Sequence, residues 1–147
     1  MLTFEISRKS KVVFSNTALA KICRAVFEAK KMSGDYYFSL AFIGDKEMTI
    51  LNETYRGKNG PTDVLSFAEL DEEDEAPKIE TKKYLGEIII DVEQAKRQAK
   101  EDGKTIKKEL NTLAVHGLAH LLGYEHENVS KAMAKKMTDF EAKVLDN

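Results

Sequence analysis

Hydrophobic and polar positions follow two periods along this chain, and the switches between them predict the elements of the fold. Residues 2–7 (LTFEIS) alternate as a half-buried strand does. Ser15 or Asn16 then caps a helix in which Leu19, Ile22, Cys23, Val26 and Phe27 recur at helical spacing, with its end expected near Ser33-Gly34. Tyr36 to Ile43 reads as a second strand, and Gly44-Asp45 as the cap of a helix closing around Arg56-Gly57. After a loop through Pro61, Val64 to Phe67 and Tyr84 to Asp91 predict two further strands. The run Ile88-Ile89-Ile90 is that of a central strand covered on both faces. Asp91 opens a helix to about Asp102, Gly103 breaks it, and Thr105 caps the next. There Leu110, Leu113, Ala114, Gly117, Leu118 and Leu121 form one apolar stripe ending near Gly123, the mark of a buried central helix. A last helix from about Ser130 is expected to turn Met133, Met137, Phe140 and Val144 inward. The order β-α-β-α-β-β-α-α-α predicts an α+β fold, a single mixed four-stranded sheet packed with about five helices.

With 147 residues the chain suits one domain, 1–147, and its ordinary balance of apolar and charged residues excludes general disorder. No stretch approaches the ~18 apolar residues of a membrane span, and the first residues lack the basic head and apolar core of a signal peptide. The expected location is the cytoplasm. Cys23, the only cysteine, rules out an intrachain disulfide and a cysteine-rich zinc ribbon, and reads as a small core residue. A net charge of −2 gives no broad positive field for nucleic acid, so any such contact must be local. The acidic run 70–75 (LDEEDE) and the basic clusters Lys96, Arg97, Lys100 and Lys104, Lys107, Lys108 read as solvated surface, and 69–82 as a surface loop.

The chemistry concentrates in His116-Gly-Leu-Ala-His120-Leu-Leu-Gly123-Tyr-Glu-His126, which contains every histidine of the chain. Two histidines four apart on a helix lie on one face one turn apart, so both imidazoles reach one ion. A third, six positions on, joins them only if the chain turns back, and Gly123 supplies the residue that tolerates a left-handed helix end. Three neutral imidazoles leave one position of a tetrahedral zinc for water, the arrangement of a catalytic site rather than a closed structural one. Zinc is the expected metal, one ion, although other divalent transition metals accept imidazole too. Glu125 and Glu127 flank the third ligand either as orienting groups or as plain loop charges. Zinc peptidases with this spacing carry a glutamate after the first histidine as general base; here that position is Gly117, which disfavours peptide hydrolysis by that route.

A second stretch, 51–68 (LNETYRGKNGPTDVLSFA), joins a helix end to a strand through Gly57, Gly60 and Pro61. Arg56 offers a planar fork of donors suited to phosphate, or is a surface arginine packed along Tyr55. Asp63 reads as a turn residue bonding backbone amides, and a lone strand serine such as Ser66 is weak evidence for a nucleophile. With Leu51-Asn52, Tyr55-Arg56-Gly57, Pro61-Thr62-Asp63-Val64-Leu65-Ser66-Phe67, Leu85-Gly86-Glu87-Ile88 and the segment His116 to His126 in order, the chain resembles the YbeY family of bacterial endoribonucleases. Ala68 and Glu125 stand where proline and aspartate are usual in that family, and Asn59-Gly60 replaces a commonly acidic loop.

The resemblance implies a zincin-like central helix carrying His116, His120 and His126 as metal ligands, and Arg56 as the catalytic, RNA-contacting arginine. It implies a metal-dependent, single-strand-selective endoribonuclease in maturation and quality control of ribosomal RNA, especially the 3′ end of the small-subunit RNA. Partners implied are the small ribosomal subunit and assembly factors such as a ribosomal protein or the Era GTPase. Tyr55, Phe67 and Tyr124 are candidates for stacking on splayed bases, with core packing as the plainer reading of each. Two rivals stand beside this: a metallopeptidase-like hydrolase on the same ion, and a non-catalytic assembly factor whose metal only holds His126 to the helix.

Overall fold

The computed structural model describes residues 1–69, 82–124 and 129–146. The elements run β1 (Leu2–Arg8), α1 (Asn16–Ala29), β2 (Asp35–Ile43), α2 (Asp45–Arg56), β3 (Val64–Ala68), β4 (Lys82–Asp91), α3 (Val92–Glu101), α4 (Ile106–Leu121) and α5 (Lys131–Leu145). This is the order the hydrophobic pattern predicts. The sheet is mixed and four-stranded, in the order β1-β2-β4-β3, with β1, β2 and β4 parallel and β3 antiparallel at the edge. The acidic run 70–75 lies outside the described residues.

Side-chain alternation on β4 divides the interior in two. Ile88 and Ile90 enter the main core with Phe38, Leu40 and Phe42 of β2 and the inner faces of α1, α3, α4 and α5. Ile89 faces the other way, with Ile43, Leu65 and Met48, where α2 closes the sheet. β4 is thus buried on both faces, as its apolar run requires. Cys23 is buried in the main core, and burial pushes its thiol up to about 12, which leaves it an inert packing group.

Side-chain oxygens of Ser15, Asp91, Thr105 and Ser130 accept backbone N–H groups at the starts of α1, α3, α4 and α5. Three expectations need correction. α1 stops at Ala29 rather than near Ser33, because Lys31 turns left-handed (φ 52°) and Met32 N–H closes back on the Phe27 carbonyl. Asp45 does not cap α2: Gly44 holds the cap position without a side-chain bond, and the Asp45 carboxylate pairs with Arg97 instead. Met133 is 49% exposed, so the buried stripe of α5 begins one turn later, at Met137, where the helix meets its neighbours.

Candidate metal centre

α4 owes its position to Gly117. A Cβ built there would stand 2.6 Å from Ile88 Cγ2, so the missing side chain lets the helix backbone settle directly on β4. The same contact bears on chemistry. The residue after the first histidine points into the sheet, and no glutamate fits there as a general base.

His116 and His120 lie on α4 beside this contact, both half-buried. Their rings meet edge to face, centroids 4.6 Å apart, and the two Nε2 atoms stand 3.1 Å from one another. Two imidazole nitrogens on one tetrahedral zinc at bonds of about 2.0–2.1 Å are separated by roughly 3.3–3.4 Å. The pair therefore fits a shared ion with almost no ring movement. Behind the pair, Nδ1 of His116 is 3.2 Å from Oε2 of Glu141, a carboxylate carried by α5 and only 14% exposed.

α4 ends in the turn that the third histidine needs. Gly123 is left-handed (φ 94°), its N–H bonds the His120 carbonyl, and Tyr124 N–H returns to the Ala119 carbonyl. Tyr124 stacks on Phe140 of α5 at 4.6 Å and 14°, with the ammonium of Lys30, the residue that caps the end of α1, 4.5 Å from its ring centre. That ring anchors the outgoing chain to two helices and is occupied as packing, not as a free base-stacking surface. Among the described residues no three ligating side chains converge; His126, with Glu125 and Glu127, lies outside them.

The second stretch sits elsewhere. Arg56 is the last residue of α2, exposed, with no hydrogen bond or ion pair among the described residues. Gly57 ends the helix left-handed (φ 65°), and Asn52 Nδ2 donates to the Gly60 carbonyl across the following loop. Tyr55 is 65% exposed and meets the edge of Phe67 at 5.3 Å. α2 and α4 cover opposite faces of the sheet, and the loop after Arg56 joins them through edge strand β3, which packs against α4. Asp63 is the turn residue expected of it: Oδ1 accepts Val64 N–H at 2.7 Å, and Oδ2 accepts from Gln98, which also donates to the buried Glu109 of α4. Ser66 pairs with Ile88, so its side chain faces α4.

The family model described as Endoribonuclease YbeY matches residues 4–147, nearly the whole chain. The chain belongs to the YbeY family. Among relatives bearing the name Endoribonuclease YbeY, that of Thermodesulfovibrio yellowstonii is 46% identical over 74% of this chain and 65% of its own length. That of Alkaliphilus metalliredigens is 39% identical over 88% of this chain and 86% of its own. In structure the chain is similar to the solution structure of TM1509 from Thermotoga maritima, with a TM-score of 0.60 and 28% identity, covering 99% of this chain and 90% of that one. The match to the first relative spans just under two thirds of its length.

The residue that sequence reasoning missed is Glu141. It follows Phe140 on the inner edge of α5, 25 positions from His116, and no local spacing connects the two.

Proposed function

We propose that this protein is a metal-dependent endoribonuclease that processes ribosomal RNA, cutting single-stranded segments, with the 3′ end of the small-subunit RNA as its substrate region. The observation that carries the reading is the meeting of two Nε2 atoms 3.1 Å apart on the helix of a YbeY-family chain. In this reading residues 1–147 form one metallohydrolase domain. His116, His120 and His126 hold one zinc ion, and the chain leaves α4 toward the last of them through the left-handed turn at Gly123. Bound there, zinc supplies Lewis-acid polarisation of a phosphodiester and lowers the pKa of a coordinated water. Arg56, unengaged among the described residues, places its guanidinium on the phosphate and offsets the charge that grows in the transition state. The small ribosomal subunit and assembly factors such as the Era GTPase are the proposed partners, ribosome quality control a second setting, and the cytoplasm the location. No described helix is long and apolar enough to cross a membrane.

The peptidase rival is weakened by the Gly117–Ile88 contact, which leaves no room for the required glutamate. Cleavage of a single-stranded ribosomal RNA fragment by wild type, Arg56→Ala and His120→Ala, purified identically, tests the proposal. Each variant is expected to lose about 100-fold or more in rate with its circular dichroism unchanged. Equal cleavage by all three would sink the nuclease reading and expose a contaminant. Loss of folding in His120→Ala would instead favour the purely structural metal.

A further inference from the structure

A neutral imidazole carries one proton, and only the other nitrogen has a lone pair for a metal. In His116 the nitrogen turned toward His120 is Nε2, so ligation through it requires the proton on Nδ1. Nδ1 faces the Glu141 carboxylate at 3.2 Å. A carboxylate accepts and cannot donate when ionised, so it favours the tautomer with Nδ1–H. Its placement comes from packing, since Glu141 follows Phe140, which stacks on Tyr124, and lies between the buried Met137 and Val144. Keeping a carboxylate only 14% exposed is costly unless it meets donors, and the His116 ring supplies one.

We propose that Glu141 is the positioning residue of the metal centre: it holds His116 by Nδ1–H so that the Nε2 lone pair is aimed at the ion before the ion arrives. It touches neither substrate nor metal and acts through His116. The inference rests on the proposed metal site, so its test carries a control for that site. Zinc affinity is measured by competition with a chromophoric chelator, and the tautomer of His116 in metal-free protein by ¹⁵N–¹H NMR. Glu141→Ala is expected to weaken zinc binding about 10–100-fold, and Glu141→Gln, which keeps the volume and an acceptor oxygen but not the charge, by a smaller, measurable factor of roughly 3–10. Wild type should show Nδ1–H at His116, with Nε2–H growing in Glu141→Ala; a carboxylate needed only for packing would move neither reading in Glu141→Gln. Because Glu141→Gln preserves the shape, it decides the matter if Glu141→Ala fails to fold.

The outcomes separate. If wild type binds zinc, His120→Ala does not, and both Glu141 variants bind as wild type does, the metal site stands and the role of Glu141 is overturned. Wild type with Nε2–H at His116 overturns it as well, whatever the affinity. If wild type binds no metal ion at all, the proposed metal site falls and takes this assignment with it.

Discussion

Two polar clusters in this molecule use the same ingredient, a carboxylate set between helices, to opposite ends. At the start of α3, Asp91 is fully buried; its Oδ1 caps the helix by accepting Glu93 and Gln94 N–H, and its Oδ2 has no donor of its own. Burial first, and then the neighbouring Asp45 carboxylate, push Asp91 up to about 7. Asp45 itself is held well below the ordinary carboxylate range by two 2.8 Å bonds from the Arg97 guanidinium. Asp91 then keeps its proton up to about pH 7 beside the charged Asp45, and the set closes upon itself. At the histidine pair the carboxylate of Glu141 stands behind a ring, and the nitrogens on the far side stand 3.1 Å apart, near the spacing of two ligands on one tetrahedral ion. A strongly displaced acidity is a common pointer to catalysis, yet here it marks a lock between α2 and α3. Ring nitrogens brought together on one helix face are the better guide.

The sharpest way to break this comparison is to remove one member from each cluster. His120→Ala is expected to weaken zinc binding by more than about 100-fold while changing stability by less than about 1 kcal/mol. Asp91→Ala should do the reverse, leaving zinc binding in place and costing about 2–3 kcal/mol through the lost cap and the unpaired neighbours. Zinc titration and urea unfolding of both variants decide it. If Asp91→Ala lost the metal as well, the two clusters would be one system.

Gly117→Ala asks a narrower question, whether the seat of α4 on β4 sets the histidine geometry. The new methyl meets Ile88 at 2.6 Å, so the helix or the isoleucine must shift; better helix propensity offsets part of the cost and leaves about 1–2 kcal/mol of destabilisation. Ile88→Ala in the same chain removes the opposing atoms. A double-mutant cycle should therefore show coupling between the two positions, and zinc affinity should fall in the single Gly117 variant and return in the double. Additive energies would deny the contact.

How much of this was legible in the sequence follows from the range of each interaction. Caps act within three residues, and Ser15, Asp91, Thr105 and Ser130 declare their helices. The i, i+4 histidines and the glycine turn at 123 are local as well, and Gly117 announces itself by standing where a larger residue was expected. The end of α1 was overshot because a lysine, not the nearby glycine, takes the left-handed position. Asp45 and Arg97 are 52 positions apart and His116 and Glu141 are 25 apart, so their pairing depends on how helices pack and leaves no periodic trace. Exposure of Met133 has the same origin: the stripe predicts which side of α5 faces inward, and its neighbours decide where burial starts. The family resemblance, by contrast, drew on the whole ordered set of motifs, and the match over 4–147 agrees with it.

The smallest expected effect probes the proton that Asp91 keeps beside Asp45. An unfolded aspartate titrates near ~3.9. With Asp91 raised to about 7 in the folded protein, the folded state binds a proton between those values that the unfolded state does not. Stability from this group is therefore full below about pH 4, declines as pH rises toward 7, and levels off above it. Asp45, lowered instead, adds a slope of opposite sign below about pH 4, and it is present in wild type and variant alike. Asp91→Asn keeps the cap through its carbonyl oxygen and replaces the Asp91 proton by an amide N–H directed at Asp45. The variant should match wild type near pH 4 and exceed it at pH 8, with the gap opening across the interval between. Unfolding curves that run parallel from pH 4 to 8 would show that no proton is held there, and the lock would then rest on Arg97 alone.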